Sequence, residues 1–473
     1  MPSGRAACVS LMRVAVLAKP YMDGMKHFYL FTSNRMEELS AAFCRELLAG
    51  PFSSPLRQET AVIQSGGMMR WVSMEIARNT GVCANIRFVF PNRFLQDVLH
   101  WAFPDNSCRE RILGVEAMAW AIMSILERAD SEPELEPLLF YLKDGDSRKR
   151  YQLAVRIADT FDQYMVFRPD MILKWEKGDL PSDKVERWQA HLWRLLDKTG
   201  LAWSRAALWR EIISLAEEES LAPDLFPERV FVFGISSLPK LHMQVLKALS
   251  SIIDIYLFAV NPCREYWGDI LSPFELGKAE ARFDSLGVGT DDRHIEEHNP
   301  LLASMGITAR DFFDMINELD PQEKELFRDV DSSTMLGCIQ NDILHNLPAS
   351  EKVPVSHNDS SIMIFACHDP MREVEVLHDN LLDMFENSPG LAPEDVLVMA
   401  PDIEDYAPYA PYISAVFEAG HGDGTSIPFT ITDRSPRSAS QVVKGFMTML
   451  SLFRSRFELS RKDGGTRTAD RRA

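Results

Sequence analysis

No two cysteines in this sequence are spaced as CxxC. The seven present, at positions 8, 44, 83, 108, 263, 338 and 367, are scattered and odd in number. That argues against a disulfide framework and a cysteine zinc site, and suits the reducing cytosol. Long hydrophobic runs are missing too: none approaches the roughly 20 apolar residues that span a bilayer, so no membrane role is expected. Positive charge is in deficit, with 50 Lys and Arg against 69 Asp and Glu and a formal net charge of −19. A uniformly basic coat for nucleic acid is thereby excluded. A local basic channel is not, because phosphate binding depends on where the cations sit. Also absent is GxxxxGK[ST], whose glycines, Lys and hydroxyl cradle phosphates and Mg²⁺.

What is present is globular. The 473 residues are 46% hydrophobic and 25% charged, ordinary for a soluble protein of two to four domains. The chain is organised around Ala61–Val82. Ala61-Val62-Ile63 is a short apolar run suited to a buried strand. Gly66 and Gly67 follow, allowing a sharp turn with positive φ, and Met68, Trp71, Val72 and Ile76 then recur at helical spacing. Strand, glycine turn and amphipathic helix make half of an α/β crossover. The turn offers free backbone N–H groups, with Gln64, Ser65 and Arg70 as side-chain donors for a phosphate or a base edge. The same glycines also serve a plain connection.

A similar unit starts near Met25, with strand Phe28–Phe31, turn Thr32–Arg35 and helix Met36–Leu48, Ser33 or Asn34 being the expected N-cap. The 24 residues before it form an extension, in which Arg13 breaks an imperfect imitation of a secretory signal. From 92 to about 225 the periodicity is helical, over Phe94–Phe103, Glu116–Ala129, Tyr151–Tyr164 and His191–Glu218. Its aromatics read mostly as helix-packing core. Within it, Lys143-Asp144-Gly145-Asp146-Ser147-Arg148-Lys149-Arg150 is a polar turn entering a basic helix start, open to solvation or to contact with phosphates. Strands return at Arg229–Phe233 and Ile252–Val260 around a helix at Leu241–Leu249, so the helical block is an insertion in a parallel-sheet domain. The first of these strands ends in Phe233-Gly234, with no acid for Mg²⁺.

The stretch 268–356 is polar, and its His294 and His298 read as solvated loop rather than metal ligands. A second, incomplete α/β domain is expected over 351–457, with strands at Ser361–Ala366 and Leu397–Ala400 and helices at Met371–Phe385 and Gln441–Leu452. The tail 458–473 abandons periodicity and reads as a frameshifted or truncated end.

The runs FYLFTSNRMEEL, AVIQSGGMMRW, ADTFDQYMVFRPD, RVFVFGISSLP, NPCREYWGDI, NPLLASMG and ACHDPMREVEVLHDNLL occur in this order between Met25 and Phe457. Together they resemble the gamma chains of exodeoxyribonuclease V, the RecC subunits of RecBCD. Members of that family are longer, so the likeness covers their N-terminal part. The resemblance implies a degenerate superfamily-1 helicase-like domain with a RecA-like parallel sheet over 25–350, its helical insertion at about 92–225. It also implies no catalytic centre in this chain, ATP and Mg²⁺ being used by partner subunits, RecB and RecD. The family clamps those subunits, splits the duplex, channels single strands and scans one for the regulatory Chi sequence, in cytoplasmic double-strand break repair by recombination. Its C-terminal nuclease-like domain has no counterpart in these residues.

The DNA-binding positions that the resemblance and the local chemistry nominate are Gln64, Ser65, Gly66, Arg70, Phe90, Gln96, Asp144, Arg148, Lys149 and Arg150. Gly66 and Arg70 stand where enterobacterial members carry Thr and Gln, and Gln96 where they carry Trp. The change favours a different recognised sequence, since Arg prefers guanine edges. The contrasting expectations are an autonomous NTP-driven helicase or nuclease, which the two missing motifs oppose, and a non-functional truncated remnant.

Overall fold

The computed structural model describes residues 27–50, 57–103, 114–143, 145–179, 181–199, 205–218, 220–271, 274–278, 298–348, 354, 356–403, 406, 417, 427–431 and 440–452. The N-terminal extension, the tail 458–473, Asp144 and His294 lie outside them. The chain divides at Asp359/Ser360 into two compact units.

The first unit is an α/β fold on one parallel sheet. Its strands are β1 (Phe28–Ser33), β2 (Glu59–Ile63), β3 (Ile86–Val89), β4 (Arg229–Phe233), β5 (Asp254–Val260) and β6 (Gln322–Glu325), ordered β3-β2-β4-β5-β1-β6. The central strands are near-continuous apolar runs because helices cover both faces of the sheet. Register pairs Val62 with Val232 and Phe233 with Phe258. On one face, α1 (Met36–Ala49) and α2 (Gly66–Thr80) bury Phe43, Val72 and Ile76 against Phe31, Ile63, Phe231 and Phe258. Phe43 meets Phe231 edge-on at 4.8 Å between centroids, a preferred aromatic geometry. On the other face lie α3 (Pro91–Ala102), α9 (Arg205–Glu217) and α10 (Lys240–Leu249), burying Val98, Trp209 and Leu246 against Val62, Val232 and Leu257.

The helical block between β3 and β4 has two parts. Its first and last helices, α3 and α9, belong to the sheet's core. Between them, α4 (Val115–Glu127), α5 (Glu136–Tyr141), α6 (Ser147–Phe167), α7 (Pro169–Glu176) and α8 (Lys184–Lys198) pack around their own core of Ile122, Phe161, Trp175 and Trp193. The periodic stretch His191–Glu218 is two helices, since α8 ends at Lys198 and α9 begins at Arg205.

The polar stretch after β5 holds more structure than its composition suggested. Helices Pro300–Met305, Ile307–Asn317 and Met335–Leu344 form there, and QEKE becomes the edge strand β6. An edge strand is half solvated, so its charged pattern is compatible with pairing. The second unit has a small core of Val374, Leu381, Phe417 and Ile427 around helix Pro370–Asn387, and helix Gln441–Ser451 also forms. The strands expected at Ser361–Ala366 and Leu397–Ala400 enter no ladder among the described residues. Ile364 is 91% exposed and Met399 83%, so apolar character alone did not make strands where no described strand pairs with them. No helix among the described residues is long and apolar enough to cross a membrane.

Candidate nucleic-acid interface

In a parallel sheet every strand delivers its following turn to the same edge, and ligands of such folds bind there. β2 ends at Ile63, leaving Gln64, Ser65 and Gly66 exposed at that edge. Ser65 is the N-cap of α2, in extended conformation, and its Oγ accepts from the Met68 amide at 3.2 Å. The glycines do not make the positive-φ turn expected of them. Gly66 and Gly67 are the first residues of α2, and neither has a positive φ. The serine cap performs the junction, so the glycines serve to keep the first turn bare: a Cβ at Gly66 would meet nothing within 4 Å. No acid occupies that turn, and Arg70 is exposed one turn further along α2.

β3 delivers Phe90 to the same edge, 50% exposed as the N-cap of α3, with Pro91 at the first helical position. Gln96 is exposed on α3, and its Oε1 accepts from Arg93 at 3.4 Å. β4 contributes a residue the sequence reading passed over. Ser236 donates to Gln64 Oε1 from its hydroxyl at 3.4 Å and its amide at 3.5 Å. The signal was available, since Ser236 sits in the turn after a recognised strand, but only the sheet order makes it a neighbour of Gln64. Here a positive φ does occur, +62° at Gly234, and a Cβ there would stand 3.2 Å from Met68. The end of β4 is thus closed by methionine rather than by a metal-binding acid.

The β1 edge, where a phosphate loop belongs, is filled by the chain's own backbone. Ser33 Oγ donates to Leu326 O at 2.8 Å, and Asn34 Nδ2 to Arg328 O at 2.8 Å. Arg328 also reaches Glu38 on α1 with two bonds, at 2.8 and 3.1 Å, which holds the Glu38 carboxyl below its ordinary pKa. The N-cap of α1 is Arg35, without a side-chain cap bond, rather than Ser33 or Asn34; Ser33 Oγ accepts from the Arg35 amide.

Behind Gln96 a cleft of about 520 Å³ opens between α3, α6, α9 and α10. Asn92, Gln96, Trp209 and His242 line it, with the Arg205–Asp162 ion pair at 2.7 Å. His242 is 5% exposed, its Nε2 lacks a hydrogen-bond partner among the described residues, and burial pushes its pKa down to about 4.

Arg148, Lys149 and Arg150 stand apart, in the first turn of α6 behind the Asp146 cap. Arg148 is exposed, Lys149 Nζ lies 4.3 Å over the Tyr141 ring, and Arg150 pairs with Glu127 at 3.2 Å. Among the described residues one group has metal-ligand geometry: Glu132, Glu134 and His191, the His191 Nε2 already 2.7 Å from Glu132. His298 Nδ1 is bonded instead to Asn346 at 3.0 Å.

A family model described as RecC, N-terminal domain matches residues 28–346, nearly the whole of the first unit. The RecBCD enzyme subunit RecC of Escherichia coli K12 is 36% identical over 467 residues, covering 90% of this chain and 41% of that relative. The Haemophilus influenzae subunit of the same name is 32% identical, covering 91% and 43%. That of Mycolicibacterium smegmatis is 28% identical, covering 81% and 33%. This chain spans less than half the length of these relatives. Matched by the family model over most of its sheet-bearing unit and by these subunits in sequence, the chain belongs to the RecC family.

Proposed function

We propose that this chain is the DNA-handling N-terminal part of a RecC-type subunit of exodeoxyribonuclease V. It would act with RecB and RecD in the cytoplasm, in double-strand break repair by recombination. The observation that carries the reading is the common sheet edge at which Gln64, Ser65, Gly66, Arg70, Phe90 and Gln96 are all exposed. Amide, guanidinium and aromatic groups on rigid strand ends are what reading an unstacked base requires. The filled β1 edge and the apolar β4 end support a degenerate superfamily-1 helicase-like domain without its own ATPase centre. ATP and Mg²⁺ then belong to the partners, and this chain channels and scans the single strand. The sequence it prefers differs from the enterobacterial Chi octamer, because Gly66, Arg70 and Gln96 change the donors and the stacking surface.

The test is a complete RecC-type subunit carrying this region, assembled with its partners and assayed on DNA with and without the enterobacterial octamer. Gln64→Ala or Arg70→Ala is expected to change which sequence elicits the response. A normal response to the octamer, untouched by either substitution, overturns the reading.

A further inference from the structure

We propose that Glu132, Glu134 and His191 form a binding site for one divalent cation of the zinc class, which ties α8 to the connection between α4 and α5. The inference stands apart from the DNA-handling reading and concerns the helical bundle itself.

Two short 3₁₀ turns, Ala129–Ser131 and Pro133–Leu135, join α4 to α5. Glu132 and Glu134 flank Pro133, whose ring fixes φ, and Leu135 is fully buried in the bundle core. The Glu132 amide donates to Ala129 O at 2.9 Å, and the Leu135 amide donates to Glu132 O at 3.0 Å. On the facing helix, His191 lies in the middle of α8 between Ala190 and Leu192, both buried. Two carboxylates and an imidazole are thus presented on backbone that packing holds still, the support a metal site needs.

The three ligand atoms lie within 4.8 Å of one another. His191 Nε2 is 2.7 Å from Glu132 and 4.0 Å from Glu134. A zinc ion with bonds of about 2.0–2.2 Å holds its ligands about 3.4 Å apart, so the short pair opens and the long pair closes by roughly 0.7 Å. Hydrogen bonding within the cluster does not satisfy it. Nε2 has one position to offer and Glu132 occupies it, while Glu134 has no other polar partner among the described residues. The cations one turn either side of His191 are engaged elsewhere, Arg187 Nε donating to Pro181 O at 3.2 Å and Arg194 Nε to Ala190 O at 3.3 Å. Charge favours a cation as the occupant. Between 127 and 136, Glu127, Asp130, Glu132, Glu134 and Glu136 stand against Arg128, and Arg150 offsets only Glu127. The imidazole sets the class of ion: Mg²⁺ prefers oxygen ligands and its own waters, whereas zinc takes imidazole and carboxylate together. Three protein ligands leave the fourth zinc position to water.

The experiment takes the full chain, freed of metal by chelation, and counts bound Zn²⁺ by equilibrium dialysis at micromolar free metal. Cysteines and other histidines also take zinc, so the readout is the difference from two variants, Glu134→Gln and His191→Gln. Each is expected to lose one zinc equivalent, its affinity at this site falling about tenfold or more, and to lose the rise in unfolding midpoint that zinc gives the wild type. Glu134 makes no hydrogen bond among the described residues, so the metal-free midpoint of Glu134→Gln is expected to match the wild type. That variant decides alone if His191→Gln fails to fold. Millimolar Mg²⁺ is expected not to displace the zinc. Equal zinc counts in the wild type and Glu134→Gln overturn the proposal and leave an ion pair of His191 with Glu132. Displacement by Mg²⁺ overturns the zinc-class assignment.

Discussion

Asn34 and Arg328 exchange two hydrogen bonds, Asn34 Nδ2 to Arg328 O at 2.8 Å and Arg328 N to Asn34 Oδ1 at 2.9 Å. This reciprocal pair ties the β1–α1 turn to the segment leaving β6, in the space where a nucleotide-binding α/β protein holds phosphates. The purified chain is therefore expected to release no phosphate from ATP, with or without single-stranded DNA. Phosphate release is the measurement. DNA-stimulated turnover abolished by substituting Thr32–Arg35 would show that a working centre exists.

The basic start of α6 predicts a salt-dependent contribution to DNA affinity. Replacing Arg148, Lys149 and Arg150 together with Ala should flatten the slope of log K against log salt by about 0.7 per lost single-strand contact. Because Arg150 pairs with Glu127, Arg150→Ala alone should alter the slope less than Arg148→Ala. An unchanged slope for the triple variant returns the run to a solvated face.

A buried ion pair joins the amino ends of β2 and β4. Arg229 is bonded to the Glu59 carboxylate and also donates to the carbonyls of Glu46 and Leu47, at 3.1 and 3.2 Å, at the end of α1. Glu59→Ala leaves the guanidinium buried without its counter-charge, an expected loss of roughly 3–5 kcal/mol. Glu59→Leu combined with Arg229→Met should cost less than either single change, because no uncompensated charge remains. Denaturant midpoints decide; a double variant as unstable as the sum of the singles contradicts this account.

The buried imidazole of His242 makes stability depend on pH. Its folded pKa is pushed down from an ordinary 6.5 to about 4 by burial. Between these values the unfolded chain binds more protons than the folded one, so stability is retained above about pH 6.5 and lost as pH falls toward 4. The full effect is on the order of 3 kcal/mol. The other ionisable groups lining the cleft are His100, Asp162 and Arg205, the last two paired. His242→Leu is expected to flatten the fall between pH 7 and 4, and an unchanged pH profile would refute the assignment.

How much of this was legible depended on burial. The apolar run Val230–Phe233 declared β4, because a strand covered on both faces is nearly all apolar, and Arg229 at its start is buried with its partner Glu59. QEKE did not declare β6, since three of its four residues are exposed and an edge strand carries no such signature. Ser361–Ala366 shows the converse: its apolar residues promised a strand, yet backbone pairing needs a neighbour, which local composition cannot report.

The candidate site divides in the same way. Gln64, Ser65, Arg70, Phe90 and Gln96 were nominated from the sequence and its resemblance, and the missing phosphate-loop glycines and Lys were plain in TSNRMEEL. The sequence by itself determined these chemistries and the βα rhythm that carries them, because both are written in residue type and short-range spacing. Only the tertiary structure decided that β2 lies between β3 and β4, which brings Ser236 to Gln64 across 172 residues. It also closed the β1 turn with Leu326 and Arg328, and left Trp120 outside while Trp193 went inside. Strand order and the choice of packed face are settled by which long-range burials compete best for the same core, and no local pattern contains that competition.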